Sequence, residues 1–197
     1  LPVYIENEAN LAALGEYYFG VARNVDNFIC LVSGIGLGGG IMIDGRLFRG
    51  GYGYGGEIGH IQRDLQGEQC GCGRFGCWET QIGPRAVLQR VRREFQTHPD
   101  PPLLDACSGD PQKLTFDVVI QLALNGDLIC RRAIEEVAVH LGAGIADLVN
   151  IFNPDMVVIG GAFILGKDLM QSTIEKTILS SALLPSTPGL PVGMRRS

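Results

Sequence analysis

The feature of this sequence that most constrains its fold is a cluster of one histidine and three cysteines between residues 59 and 79. The whole chain of 197 residues has only three histidines and six cysteines. His60, Cys70, Cys72 and Cys77 are separated by nine, one and four residues, and glycines flank the cysteines in the run GCGRFGC. Small residues let the backbone turn tightly, so these four side chains can converge on one point.

The composition of the cluster favours a metal over other uses of cysteine. Zinc takes four tetrahedral ligands, and three cysteines with one histidine form a common structural set. A disulfide would leave one thiol over and give His60 no role, and a catalytic thiol does not need three cysteines. We therefore predict structural Zn²⁺ at His60, Cys70, Cys72 and Cys77, with reduced thiols or a redox pair as the open alternatives. A closed site with four protein ligands is expected to do no chemistry itself.

Charge and hydropathy exclude several partners and compartments. The formal net charge is -5 and the isoelectric point is about 5.2, so the chain has no electrostatic footprint for nucleic acid or an anionic membrane. No apolar run approaches the roughly 20 residues of a membrane helix. The start, LPVYIENEAN, lacks a signal peptide's basic region and suggests a cut through a longer protein. We expect a reducing, cytoplasmic setting, with Cys30, Cys107 and Cys130 as buried thiols.

Hydrophobic periodicity predicts alternating strands and helices, which is typical of an α/β layer architecture. The stretch NFICLVSGIGLGGGIMIDGRLFRGG indicates three strands, with a hairpin turn at Asp44-Gly45. A short strand is also expected at 3–5 and a buried one in MVVIGGA. Predicted helices cover 9–19, 84–95, 116–125 and 127–152. The breaker-rich stretch 97–113 is expected to be a loop. One unit is expected over 1–185, followed by a flexible tail at 186–197.

Two glutamates flank the cysteine cluster. Glu57 precedes His60 by three residues, and Glu79 follows Cys77 by two. They are either ordinary surface residues or, if a metal fixes the loop, ligands for a polar small molecule such as a sugar. Trp78, between Cys77 and Glu79, is expected to be a hydrophobic plug beside the loop rather than a platform for a sugar ring.

Several motifs together carry a resemblance to a known family. GEIGH followed by CGCGRFGCWE resembles the signature of the ROK family, which groups sugar kinases with sugar-responsive transcriptional repressors. IENEANLAALGE resembles the family's sugar-site segment, SGIGLGGGIMIDGRLFRG its phosphate-side hairpin, and NIFNPDMVVIGGAF its adenosine-side segment. Each motif is weak alone, but the ordered set covers residues 3–163 and is highly specific.

The resemblance implies an actin-like, ribonuclease H-like ATPase fold of two α/β domains around a cleft. This chain resembles mainly the larger C-terminal domain with its zinc-braced loop, so 1–185 would be a partial sugar-binding and dimerisation domain. The family's N-terminal phosphate motif and the repressors' helix-turn-helix are absent from this chain. The resemblance implies a zinc site at the four cluster residues and a sugar site that consists of Asn7, Glu8, Glu57, His60 and Glu79.

Features of the motifs favour the repressor branch, especially its xylose-type regulators. ROK kinases usually have an aspartate base at the position of Glu8, and the extra methylene moves the carboxylate by roughly 1 Å, which can cost about 10²-fold in rate. Asn-Glu-Ala-Asn, Cys-Trp-Glu-Thr and the insert 89–116 also resemble that branch. The primary interpretation is a sugar-sensing effector domain of a homodimeric regulator, which contacts DNA only through a helix-turn-helix outside this chain and contacts no membrane.

The alternatives are a kinase and an interaction domain. In an ATP-dependent ROK sugar kinase, Glu8 would be the general base and Mg-ATP the cosubstrate. The nucleotide phosphates would then lie against Gly34, Gly36, Gly38, Gly39, Gly160 and Gly161. For these glycines, tight packing of the backbone is the competing explanation. A zinc-braced interaction domain without a sugar site is the third interpretation.

Overall fold

A computed structural model describes residues 1, 3, 5–98, 101–183 and 190–194. Within these residues, five strands form one sheet in the order β3-β2-β1-β4-β5. The strands are β1 Phe28–Ser33, β2 Leu37–Ile43, β3 Arg46–Leu47, β4 Met156–Gly161 and β5 Val192–Met194. Strands β1, β4 and β5 are parallel, whereas β2 and β3 join β1 as an antiparallel hairpin.

Successive side chains of the sheet pack into two separate cores, one on each face. The molecule therefore has three layers, with the sheet between two layers of helices. Ile29 and Leu31 belong to the larger core, with the helices of the C-terminal half. Phe28 and Cys30 point to the opposite face and pack with Ala13 and its neighbours on the first helix. Because successive strand residues face opposite sides, a strand buried on both faces is apolar throughout, as FICLV is. The predicted α/β layer architecture is confirmed.

Four helices match the predicted ones at 9–19, 84–95, 116–125 and 127–152, whereas those at 78–81, 101–106 and 167–181 are not among the predicted helices. Their bounds are α1 Glu8–Phe19, α2 Trp78–Gln81, α3 Gly83–Thr97, α4 Pro101–Ala106, α5 Phe116–Leu124, α6 Leu128–Phe152 and α7 Lys167–Ser181. In α6, the Asp127 side chain caps the start by accepting a hydrogen bond from the Cys130 N–H at 2.7 Å. The helix ends at Phe152, and the cap residue that follows, Asn153, has a left-handed φ of 44°. Residues Asp44 and Gly45 also have positive φ, as the predicted hairpin turn requires.

The structure corrects the expected loop at 97–113. Pro101–Ala106 is the helix α4, and Pro111–Lys113 is a short 3-10 helix. Leu103, at 0% exposure, belongs to the larger core. Counting breakers missed this helix because proline is tolerated in the first turn and one buried leucine suffices to dock a short helix. Residues 99–100 of this stretch lie outside the described residues.

The two ends of the chain also differ from expectation. Within the expected tail at 186–197, Val192–Met194 forms β5 instead, and Val192 pairs with Val157 of β4. An edge strand offers unpaired N–H and C=O groups, so even a short apolar triplet can add to it. Residues 186–189 and 195–197 lie outside the described part. Of the strand expected at 3–5, Val3 and Ile5 are exposed and lie outside any strand, and Tyr4 is not described.

None of the helices in the described ranges is both long and apolar enough to cross a bilayer. The longest, α6, has a buried face that contributes to the larger core and an exposed face with several charged residues.

Candidate functional site

The histidine and the three cysteines of the cluster converge as predicted. The ligand atoms of His60, Cys70, Cys72 and Cys77 all lie within 4.8 Å of one another. Cys70 Sγ is 3.5 Å from His60 Nδ1, and Cys72 Sγ is 3.6 Å from Cys77 Sγ. With Zn–S bonds near 2.3 Å, neighbouring ligands of a tetrahedral ion are about 3.8 Å apart. The donor set and its spacing therefore fit a zinc ion.

Backbone hydrogen bonds within residues 61–77, the cysteine loop, bring the ligands together. Isolated bridges pair Gln62 with Cys77 and Gln69 with Phe75. A tight turn around Gly73 is closed by the hydrogen bond from the Cys70 N–H to the Arg74 carbonyl at 2.8 Å. Gly73 itself has a φ of 87°, which side chains rarely adopt. Cys70 and Cys77 thus lie on opposite sides of one narrow loop, with Cys72 in the turn between them.

The three thiols have different environments. Cys70 and Cys77 are buried, and burial raises the pKa of both, that of Cys70 to about 12. Cys72 is exposed, and hydrogen bonds from Arg74 lower its pKa to about 6. Metal binding needs thiolates. Arg74 therefore favours the form of Cys72 that a cation requires, whereas the two buried thiols need the cation itself to stabilise their charge.

His60 connects the cluster to the two predicted glutamates. Its Nδ1 lies 3.5 Å from Glu79 Oε1 as well as beside Cys70, whereas its Nε2 lies 3.9 Å from Glu57 Oε2. The Glu79 carboxylate also accepts a hydrogen bond from the Leu37 N–H at 3.3 Å. The side chains of Glu57, His60 and Glu79 thus form a continuous polar arc from the cysteine loop to the start of β2.

The arc continues to the start of α1. Asn7, Asn10 and Glu57 line a cavity of about 40 Å³, together with Gly38, Gly39, Gly53, Gly55 and Gly56. Asn7 caps α1, because its Oδ1 accepts a hydrogen bond from the Ala9 N–H at 2.8 Å. Its amide NH₂ is therefore the group that it offers to a ligand. Glu8, the first residue of α1, is exposed beside it.

Close packing explains two of the six glycines that were predicted to bind nucleotide phosphates. A Cβ on Gly38 would lie 2.7 Å from the Cβ of Ala9, and one on Gly39 would lie 2.5 Å from Ile58 Cδ1. These two positions therefore need glycine so that α1 and residues 56–60 can approach β2. Gly34 and Gly36 form the exposed turn between β1 and β2. Because Ser33 pairs with Gly161, this turn meets Gly160 and Gly161 at the carboxyl edge of the parallel strands, where α/β folds commonly bind ligands.

Sequence reasoning missed an ion pair that contacts two residues of the cavity, Asn7 and Asn10. Arg49 contacts the Glu6 carboxylate, which also accepts hydrogen bonds from the Asn7 N–H and from Asn10 Nδ2, each at 3.0 Å. Glu6 and Asn10 are four residues apart, a spacing that could have suggested their contact. Arg49 lies 43 residues from Glu6 in the chain, and no local pattern indicates that pairing.

Trp78 anchors the cysteine loop to the core, as predicted. Its side chain is 1% exposed, and its Nε1 donates a hydrogen bond to the His140 carbonyl of α6 at 3.1 Å. Gly144, one turn further along α6, leaves room for the indole: a Cβ there would lie 2.7 Å from Trp78 Nε1. The loop that carries the cluster is therefore fixed on its inner side by packing as well as by its own hydrogen bonds.

Comparison with known proteins identifies relatives of two kinds. The sequence profile of the ROK family matches residues 1–188. A xylose repressor of Caldicellulosiruptor bescii is 46% identical over 160 residues, which is 81% of this chain and 40% of the repressor. The chain spans about half the length of the curated relatives it matches.

Two solved structures are similar over nearly the whole chain. One is a ROK family glucokinase from Streptomyces griseus in complex with glucose and AMPPNP, which superposes with a TM-score of 0.88 at 34% sequence identity. The superposition covers 98% of this chain and 63% of the glucokinase chain. The other is a ROK family transcriptional regulator, a homologue of the E. coli MLC protein, which superposes with a TM-score of 0.86 at 34% sequence identity. That superposition covers 98% of this chain and 48% of the regulator chain. One is an enzyme and the other a regulator, so the fold alone does not distinguish these functions.

Proposed function

The chain belongs to the ROK family and has the actin-like ATPase fold of its kinases and regulators, and on that premise we propose that it is the sugar-sensing effector domain of a transcriptional regulator. One observation carries the sugar site: Asn7, Glu57, His60 and Glu79 lie along one polar arc beside the cysteine cluster. Carboxylates accept hydrogen bonds from hydroxyl groups, and the Asn7 amide donates them. The ligand is therefore a neutral, polyhydroxylated molecule.

Zinc has a structural role in this proposal. His60, Cys70, Cys72 and Cys77 hold it and leave no open position for substrate. The ion would cross-link the cysteine loop, and His60 and Glu79 lie just before and just after that loop. His60 is shared, since Nδ1 faces the thiols and Nε2 faces Glu57 and the ligand. A ligand bound to Glu79 is thereby held by a side chain whose position the cysteine loop fixes.

The repressor is favoured over the kinase by the similarity and by Glu8. The xylose repressor shares 46% of aligned residues, and Glu8 stands where ROK kinases usually have the shorter aspartate. In the regulator, a sugar shifts a homodimer between a DNA-binding and a non-binding state, and DNA is contacted by a segment outside this chain. The sugar must bind the two states with different affinities, because equal affinity shifts nothing. A cytoplasmic location fits reduced cysteines.

The second candidate is an ATP-dependent sugar kinase. Its support is the overlap with the glucokinase that holds glucose and AMPPNP, and the turn of Gly34 and Gly36 that lies at one edge of the sheet with Gly160 and Gly161. In that case Mg-ATP is the cosubstrate, and Glu8 takes the proton from the attacking sugar hydroxyl.

One experiment separates these functions. The intact protein is incubated with Mg-ATP and a panel of aldoses, hexoses and N-acetyl hexosamines, while ADP release and the melting temperature are followed together. We expect one sugar to raise the melting temperature without releasing ADP. Sugar-dependent ADP release that disappears in Glu8→Ala would establish the kinase instead. If no sugar changes either readout, the zinc-braced interaction domain is the better description.

A further inference from the structure

A glycine-rich loop presents Glu57 to the proposed sugar site. Residues 50–56, here called the glycine loop, have the sequence GGYGYGG, with five glycines in seven positions. Glycine has more backbone freedom than other residues, so holding such a loop in one conformation costs conformational entropy. Its neck is closed by one backbone hydrogen bond, from the Gly55 N–H to the Arg49 carbonyl at 2.9 Å. Glu57 follows directly, so its position depends on what fixes this loop.

The Arg49 side chain reaches from that neck to the segment that precedes α1. There it contacts the carboxylate of Glu6, which precedes the α1 cap residue. The same carboxylate accepts hydrogen bonds from the Asn7 N–H and from Asn10 Nδ2, each at 3.0 Å. Asn10 is buried, at 4% exposure, although it is polar. One carboxylate thus joins both asparagines of one wall to the loop that forms the other wall.

Hydrogen bonds and charge together keep Glu6 ionised. The hydrogen bond from Asn10 is the largest cause, followed by Arg49 and the Asn7 N–H, and they lower the pKa of Glu6 to about 2. A carboxylate that accepts hydrogen bonds from two amide N–H groups and contacts a guanidinium is held in one orientation. Its role is geometric, because both carboxylate oxygens contact protein groups: Oε1 accepts from Asn7 and Asn10, and Oε2 contacts Arg49.

We propose that Arg49 is a positioning residue of the sugar site: through Glu6 it holds the glycine loop, and with it Glu57, opposite Asn7 and Asn10. This inference rests on the proposed sugar-binding function. It predicts that Arg49 contributes to sugar affinity although it is not required to touch the sugar. A purely stabilising surface ion pair would contribute little to binding.

The test compares Arg49→Gln with Arg46→Gln in the intact protein. Arg46 is an exposed arginine of β3 and serves as the control because it lies far from the cavity. Its neighbour Gly45 donates a hydrogen bond from its N–H to the Asp26 carbonyl and lies beside Tyr17 of α1. Tyr17 is ten residues beyond Asn7, or about 15 Å along α1. Titration with the sugar found by thermal shift should give a dissociation constant roughly 5- to 10-fold weaker for Arg49→Gln and unchanged for Arg46→Gln. Arg49→Lys should restore part of the loss, since it keeps the charge but not the guanidinium fork.

A double-mutant cycle and hydrogen exchange complete the test. Glu6→Gln should weaken binding to a similar extent, and the pair Glu6→Gln with Arg49→Gln should be no weaker than either alone. Without any sugar, amide exchange in residues 50–57 should be faster in Arg49→Gln than in the wild type, with the cysteine loop unchanged. Unaltered exchange and an unaltered dissociation constant would overturn the inference. Faster exchange in a protein that binds no sugar would retain the loop tether but reject the sugar-binding function and the positioning role.

Discussion

Two glycine-rich regions of this protein use glycine for different purposes. In the cysteine loop, residues 61–77, glycines such as Gly73 allow tight turns so that side chains can meet at one point. In the glycine hairpin, residues 33–40, Gly38 and Gly39 leave space so that α1 and residues 56–60 can pack on β2. The first region is specified by its ligating side chains and the second by what lies against its backbone. A glycine-rich motif alone therefore does not distinguish a tight turn from the close approach of another segment.

The largest expected effect comes from removing a ligand of the cysteine loop. In Cys77→Ser, a buried thiol that lies 3.6 Å from Cys72 Sγ is replaced by a poorer zinc ligand. Bound zinc, measured by elemental mass spectrometry, should fall from about one per chain to near zero, and the melting temperature should fall on the order of 10 °C.

The matched control for this loss is Cys107→Ala, a buried cysteine outside the cluster. It should lose stability through a small cavity but keep its zinc. If Cys77→Ser and the control contain equal amounts of metal, or if the purified wild type contains none after reconstitution with Zn²⁺, the cysteine loop is not a metal site.

The next effect concerns the glycine hairpin. In Gly40→Ala, the new Cβ would lie 2.6 Å from the Cβ of Ala13 in α1, so the helix must shift. We expect a loss of about 2 kcal/mol in the free energy of unfolding, measured by urea denaturation. In Gly34→Ala, the new Cβ has no neighbour within 4 Å, and the loss should stay below about 0.5 kcal/mol.

The same pair of variants tests the hairpin's alternative role. If Gly34→Ala abolishes nucleotide binding while stability is kept, the exposed turn binds phosphate and the kinase interpretation gains support. If both variants lose equal stability, packing against α1 does not explain the hairpin, and the comparison of the two regions fails.

How far the sequence predicts each region follows from the same difference. The cluster of His60, Cys70, Cys72 and Cys77 and the stripe of α6 are local patterns, so spacing and periodicity were sufficient for both. The strand β5 and the contact between Glu6 and Arg49 join segments that are far apart in the chain. No period or spacing encodes them, because each depends on how the sheet edge and the cavity are assembled. The helix α4 was missed for a related reason, since its burial depends on the core that receives Leu103.

Where the two regions meet, the expected effect is on binding rather than stability. Glu57 is exposed and faces His60 Nε2 at 3.9 Å, so Glu57→Gln should leave the melting temperature of the free protein unchanged. It should weaken sugar binding by about 10-fold or more, because a hydrogen bond to a charged group is lost. Isothermal titration with the sugar provides the measurement.

Glu135→Gln, which alters an exposed glutamate of α6 away from the arc, is the matched control and should bind as the wild type does. A Glu57→Gln protein with unchanged affinity would remove Glu57 from the site. The arc between the two regions would then end at His60 and Glu79.

The smallest expected effect is the pH dependence that Glu6 gives to stability. Its pKa falls from 4.5 to about 2 in the folded protein, so the unfolded chain takes up a proton first as the pH decreases. The stabilisation is complete above pH 4.5 and is lost progressively as the pH falls toward 2. Because Glu6 and Arg49 are accessible to solvent, screening keeps this contribution small. Wild type and Glu6→Gln should therefore differ in urea midpoint at pH 6 and converge progressively as the pH falls from 4.5 toward 2. Protonation of the cysteine cluster affects both proteins equally and cancels in that difference. A difference that stays constant over this range would mean that Glu6 stabilises the cavity through its shape and not through its charge, and Arg49 would then have no ionised partner through which to hold the glycine loop.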